Sequence, residues 1–141
     1  MTSSEPPPGL IEALGAKPEA VFKGTDYMAV FGTEAEIRAL RPDTARLAEI
    51  EDVRAFICTA PGNEADFVSR FFAPKQGIPE DPVTGSAHCM LIPYWSKRLN
   101  RNPLRALQLS RRGGELFCED RGDRVNIAGR AVLYLEGAIH I

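Results

Sequence analysis

Long apolar runs, basic blocks and paired cysteines are all missing from this chain. No apolar stretch approaches the roughly 20 residues that a membrane-spanning helix needs, so no membrane partner is expected. No run of lysine and arginine, and no basic stripe interleaved with aromatics, points to nucleic acid. The opening residues Met1-Thr2-Ser3-Ser4-Glu5 lack the basic-then-apolar order of a secretory leader. Cysteine is scarce: Cys58, Cys89 and Cys118 are odd in number, far apart and without metal-ligand spacing. Each has apolar neighbours, which predicts three buried free thiols and a reducing, cytoplasmic setting. The glycines form neither the dinucleotide-binding nor the Walker pattern. No Ser/His/Asp set assembles, and Gly85-Ser86-Ala87 falls short of a nucleophile elbow.

What is present is ordinary globular material. The 141 residues carry a net charge of −2 with both signs interspersed. That length suits one domain, residues 1–141, with a core of useful size. Residues 1–8 end in Pro6-Pro7-Pro8 and predict a stiff, extended lead-in. A short helix is expected through Leu10, Ile11 and Leu14, stopped by Gly15 and Pro18. Residues 27–31 read as a strand. Residues 34–40 read as a helix opened by a capping box, with Thr33 as N-cap and Glu36 three positions on. Residues 44–50 resume the helical pattern, and 53–58 and 67–72 read as buried strands.

From residue 84 a helix is expected in which Ala87, Met90, Leu91, Tyr94 and Trp95 recur at helical spacing. Cys89 and Ile92 fill the other side, so burial on all sides is expected. Pro93 lacks the amide that would reach back to Cys89, which predicts a kink or a shortened helix. Beyond it the pattern turns to strands at 106–110, 115–119, 124–127, 131–135 and 138–141. Arg111-Arg112-Gly113-Gly114 joins the first two as a hairpin. A helix followed by an antiparallel meander implies an α+β fold, a curved sheet wrapped around one central helix.

The chemistry concentrates in Glu80-Asp81-Pro82-Val83-Thr84-Gly85-Ser86-Ala87-His88. Thr84, Gly85 and Ser86 stand where a helix begins. Free amides, the Ser86 hydroxyl and the bare backbone of Gly85 can cradle a carboxylate or phosphate there. The same residues can serve as a plain cap and tight turn. Asp81 can hydrogen-bond those amides structurally, or orient and protonate a ligand held by them. Glu80 reads as a solvated or loop-stabilising acid, His88 as a satisfied structural histidine, and residues 63–66 as a solvated loop.

This motif resembles the signature of the PhzF-like phenazine-biosynthesis isomerase family. So do Asp66-Phe67-Val68-Ser69-Arg70-Phe71-Phe72-Ala73-Pro74, Gly77-Ile78, Pro93-Tyr94-Trp95 and residues 108–114. The resemblance implies a fold like that of diaminopimelate epimerase. In it, two similar domains face each other across a cleft where a small acid binds, with no metal or organic cofactor. The likeness covers only the second domain of such proteins. The family's acid/base glutamate and a ligand-contacting histidine belong to the first domain and have no counterpart here. What the resemblance carries over is Asp81 as a proton-handling or substrate-orienting carboxylate, and Gly85 and Ser86 as donors to the ligand's carboxylate. Two expectations follow: half of a proton-transferring isomerase that needs a first-domain partner, or a non-catalytic acid-binding half-domain. With no first domain to cover it, the chain is also expected to pair, either with that partner or as a homodimer.

Overall fold

The computed structural model describes residues 1–139. Its elements run β1 (Thr2–Ser4), α1 (Leu10–Leu14), β2 (Ala20–Lys23), β3 (Tyr27–Val30), α2 (Glu34–Ala39), α3 (Thr44–Glu49), β4 (Phe56–Pro61) and β5 (Phe67–Phe72). A single 3₁₀ turn (Pro74–Gln76) precedes α4 (Gly85–Leu99), followed by β6 (Leu104–Gln108), β7 (Gly114–Asp120) and β8 (Val125–Ala128). The strands form one sheet in sequence order. Neighbours are antiparallel except β3 with β4 and β5 with β6, which are parallel. A mixed α+β architecture results.

The central strands are apolar at nearly every position because both faces of the sheet are covered. Tyr27, Ala29, Phe56, Cys58, Val68 and Phe72 face α1, α2 and α3. Met28, Ile57, Phe67, Phe71, Ala106 and Leu116 face α4. Strands β3 to β7 therefore all contribute to one cluster around a single helix, which is the curled sheet expected. Trp95 anchors that helix: it is fully buried, stacks on Phe67 at 5.7 Å, and donates Nε1–H to Thr59 Oγ1 at 2.9 Å. Its polar edge is satisfied inside the core, so the ring can be enclosed without penalty.

Several expectations need correction. Helix α4 is not buried on all sides. Ala87, His88, Leu91, Ile92 and Trp95 face the sheet, while Cys89 is exposed and Met90, Pro93 and Tyr94 are half-buried. The apolar residues of the outer side line a groove with Phe22 and Met1. The thiol expectation therefore holds for Cys58 and Cys118 and fails for Cys89. Pro93 does not shorten α4, which continues to Leu99. The proline-rich lead-in carries a strand, since Thr2–Ser4 pairs with Val21–Lys23. Strand β4 begins at Phe56, later than residue 53.

The expected strand at 131–135 is absent. Val132, Leu133, Tyr134 and Leu135 are 79–98% exposed and pair with no strand of the described residues. Ala138 and Ile139 likewise form no strand. Residues 140–141 of that last expected strand lie outside the described residues.

Candidate functional site

The site is built where the loop after the 3₁₀ turn enters α4. Arg70, on β5, fixes the loop from one side. It holds Glu80 with two hydrogen bonds, 2.6 and 3.0 Å, and donates its third nitrogen to the carbonyls of Ile37 and Leu40. Glu80 is thus a loop-stabilising acid. The Asp81 amide bonds the Phe71 carbonyl at 3.0 Å, and Ser110 Oγ donates to the Pro82 carbonyl at 2.7 Å. Gln108, 1% exposed, binds the loop from below. It accepts from the Thr84 amide at 2.8 Å and donates to the Asp81 carbonyl at 2.8 Å.

Thr84 occupies the N-cap position of α4 but does not cap it. Its side chain makes no bond to the first-turn amides. The hydroxyl donates to Asp81 Oδ2 and accepts from Gln108 Nε2 at 3.0 Å. No side chain of the described residues accepts from the amides of Gly85, Ser86 or Ala87. A helix of 15 residues presents its positive end there, unscreened by any cap. Gly85 and Ser86 are exposed, and a Cβ placed on Gly85 would meet nothing within 4 Å. The space beside Gly85 is open, and the Thr84 hydroxyl ties the Asp81 carboxyl to the same turn.

His88 lies one turn deeper. It is fully buried, with Nδ1 2.8 Å from the Thr84 carbonyl. Burial pulls its imidazole below the ordinary value, and the bond to the Thr84 carbonyl opposes this only in part. A neutral ring with its proton on Nδ1 can donate to that carbonyl. His88 therefore steadies the turn from behind, as a structural histidine, although Nε2 has no partner among the described residues.

Sequence reasoning missed three contributors. Arg54 reaches Ser86 Oγ at 3.4 Å and forms a two-pronged pair with the buried Asp26, at 2.8 and 2.6 Å. The hydrogen bonds that Arg54 donates to Asp26 raise the guanidinium above its ordinary value against the pull of burial, so it stays charged. Gln108 and Arg70 are the others. None had a local signal, because each partner lies at least ten residues away in the chain. The 63–66 loop is also less solvated than expected at its end. Asp66 accepts from Arg101 at 2.5 Å and from the Arg105 amide at 2.7 Å.

With this geometry in hand, comparison with known proteins is decisive. Residues 11–137 match the family model for phenazine biosynthesis-like proteins, PhzC–PhzF. The chain belongs to that family. An uncharacterized isomerase of Pseudomonas aeruginosa is 54% identical over 133 residues, which are 94% of this chain and 51% of that protein. The mouse phenazine biosynthesis-like domain-containing protein 1 is 49% identical over 113 residues, 73% of this chain and 39% of its own. A crystal structure of a PhzF-family phenazine biosynthesis protein from Enterococcus faecalis superposes with a TM-score of 0.92 at 42% identity. It is matched over 99% of this chain and 54% of that one. The chain thus spans about half the length of the curated relatives it matches.

Proposed function

We propose that this chain is one half of a cofactor-independent isomerase that moves a proton on a small carboxylic acid. The observation that carries the reading is the uncapped start of α4 beside Asp81. A carboxylate seated on the amides of Gly85 and Ser86 satisfies donors that the fold leaves open. Arg54 adds a fixed cation at the rim, and Asp81 supplies a carboxyl group for orientation or proton transfer. Thr84 serves through its hydroxyl on Asp81 rather than by direct contact with the ligand. The isomerase named among the relatives supports the reaction class.

The remaining catalytic group comes from a first-domain partner. This reading assigns the family's acid/base glutamate to that partner, as the resemblance implies. The uncovered outer side of α4 and the exposed apolar residues 132–135 support such pairing. A second copy of the chain is the alternative occupant of that surface. The free thiols suit a cytoplasmic setting.

One observation favours a second reading, a non-catalytic acid-binding half-domain: the open amides of α4 and Arg54 beside Ser86 can hold an acid without any further catalytic group. The two readings separate by experiment. The isolated chain is expected to bind a small aromatic carboxylate, seen as NMR shifts of the Gly85 and Ser86 amides, without turning it over. Co-production with a first-domain half from a PhzF-family protein is expected to yield isomerase activity that Asp81→Asn abolishes. Positioned acid–base groups contribute about 10²- to 10⁴-fold. Binding without activity in any pairing supports the half-domain. Turnover by the isolated chain overturns the need for a partner.

A further inference from the structure

We infer that Thr84 and Gln108 are positioning residues that commit one oxygen of Asp81, Oδ2, to the protein and present the other, Oδ1, to the ligand. The inference rests on the proposed role of Asp81 and goes beyond it by naming the oxygen that acts. Hydrogen-bond polarity carries it. The Thr84 amide can only donate, so the Gln108 atom 2.8 Å from it must be the carbonyl oxygen Oε1. The orientation of the amide is thereby settled. Its two N–H bonds then go to the Asp81 carbonyl at 2.8 Å and to Thr84 Oγ1 at 3.0 Å.

With a donor already on Thr84 Oγ1, the single hydroxyl proton is free to point at Asp81 Oδ2, its other neighbour. Every bond in the chain has one direction. The Asp81 amide and carbonyl are held as well, by Phe71 and Gln108. Oδ1 has no hydrogen-bond partner among the described residues. Gln108 and Thr84 are 1% and 7% exposed, so the two bonds between them are shielded from water. A glutamine buried under a loop, with all three of its hydrogen-bonding arms used on that loop, is a support that fixes both position and polarity. The same network explains why Thr84 does not cap α4: its hydroxyl is spent on the carboxyl group.

The test is isotope-edited infrared spectroscopy of the full chain with ¹³C-carboxyl aspartate, the Asp81 band being assigned by its loss in Asp81→Asn. Thr84→Val is expected to shift the Asp81 carboxylate stretch, because one oxygen loses its donor, and Thr84→Ser is expected to restore it. Gln108→Glu replaces the N–H with an acceptor, so the Thr84 hydroxyl turns away from Asp81 and the same band shifts. An unmoved band in a folded Thr84→Val chain overturns the inference. Should Thr84→Val fail to fold, an unmoved band in Gln108→Glu, or a shifted one in Thr84→Ser, overturns it equally. The readout needs neither ligand nor turnover. A chain that shows the shifts but binds no carboxylate sinks the proposed function and leaves standing only the commitment of Oδ2 to Thr84.

Discussion

Helices α2 and α4 both begin at a threonine and use it in opposite ways. Thr33 accepts from the Glu36 amide at 3.3 Å and closes the first turn of α2. Asp43 does the same for α3, accepting from the amides of Ala45 and Arg46. Thr84 turns its hydroxyl away from α4 and leaves the amides open. The far end of α4, by contrast, is closed. Asn100 takes the left-handed conformation and returns its amide to Ser96 and Lys97, and Lys97 and Arg98 sit in the last turn. The short α1 also starts without a side-chain cap, at Gly9. At the much longer α4 the open donors and positive end lie where the proposed function seats an anion.

That comparison requires α4 to be a fixed rod whose open end stays in place. Trp95 holds it, stacked on Phe67 and bonded to Thr59. Trp95→Ala removes the ring and one donor to the Thr59 hydroxyl, and is expected to cost about 3–5 kcal/mol in chemical unfolding. A loss below about 1 kcal/mol would mean that α4 is anchored elsewhere and that its open end need not be rigid.

The next effect is smaller and depends on pH. His88 bonds the Thr84 carbonyl from inside the core and is held neutral, its value depressed by burial. The unfolded chain takes up a proton on this residue near the ordinary value of 6.5, while the folded chain resists it. Stability should thus fall as pH drops below about 6.5, with a slope of at most about 1.4 kcal/mol per pH unit until the folded-state value is reached. Chemical unfolding between pH 7.5 and 5 measures it. His88→Gln should flatten that slope. An equal slope in the variant would assign the acid sensitivity to other groups.

Much of this contrast was legible in the sequence, for a local reason. The capping box at Thr33, the strand at 67–72 and the start of a helix at Thr84 depend on residues a few positions apart. The rest was hidden because it depends on what lies opposite. Thr2-Ser3-Ser4 has no apolar alternation and becomes a strand only by pairing with β2. Residues 131–135 form a continuous apolar run, yet no strand among the described residues meets them. Helical spacing identified the apolar residues of α4 but not which of them the sheet would cover. At the site, Asp81, Thr84, Gly85 and Ser86 stood together in the sequence. Gln108 and Arg54 join them only through the fold, 24 and 32 positions from their partners Thr84 and Ser86.

The finest test sets a capped start against the open one in a single pair of variants. Thr33→Ala removes a working cap and should cost about 1 kcal/mol, within the usual range of 0.5–2. Carboxylate binding should be unchanged, since α2 starts in a different part of the fold. Gly85→Ala should do the reverse. The new methyl meets no atom within 4 Å, and no left-handed backbone angle demands glycine there, so stability should change by less than about 0.5 kcal/mol. Under the proposed function an acid seats against the Gly85 backbone, where the added methyl crowds it, so NMR titration should show carboxylate affinity falling sharply. If Gly85→Ala kept full affinity, the ligand would not approach that backbone. The difference between Thr33 and Thr84 would then be a matter of loop support alone.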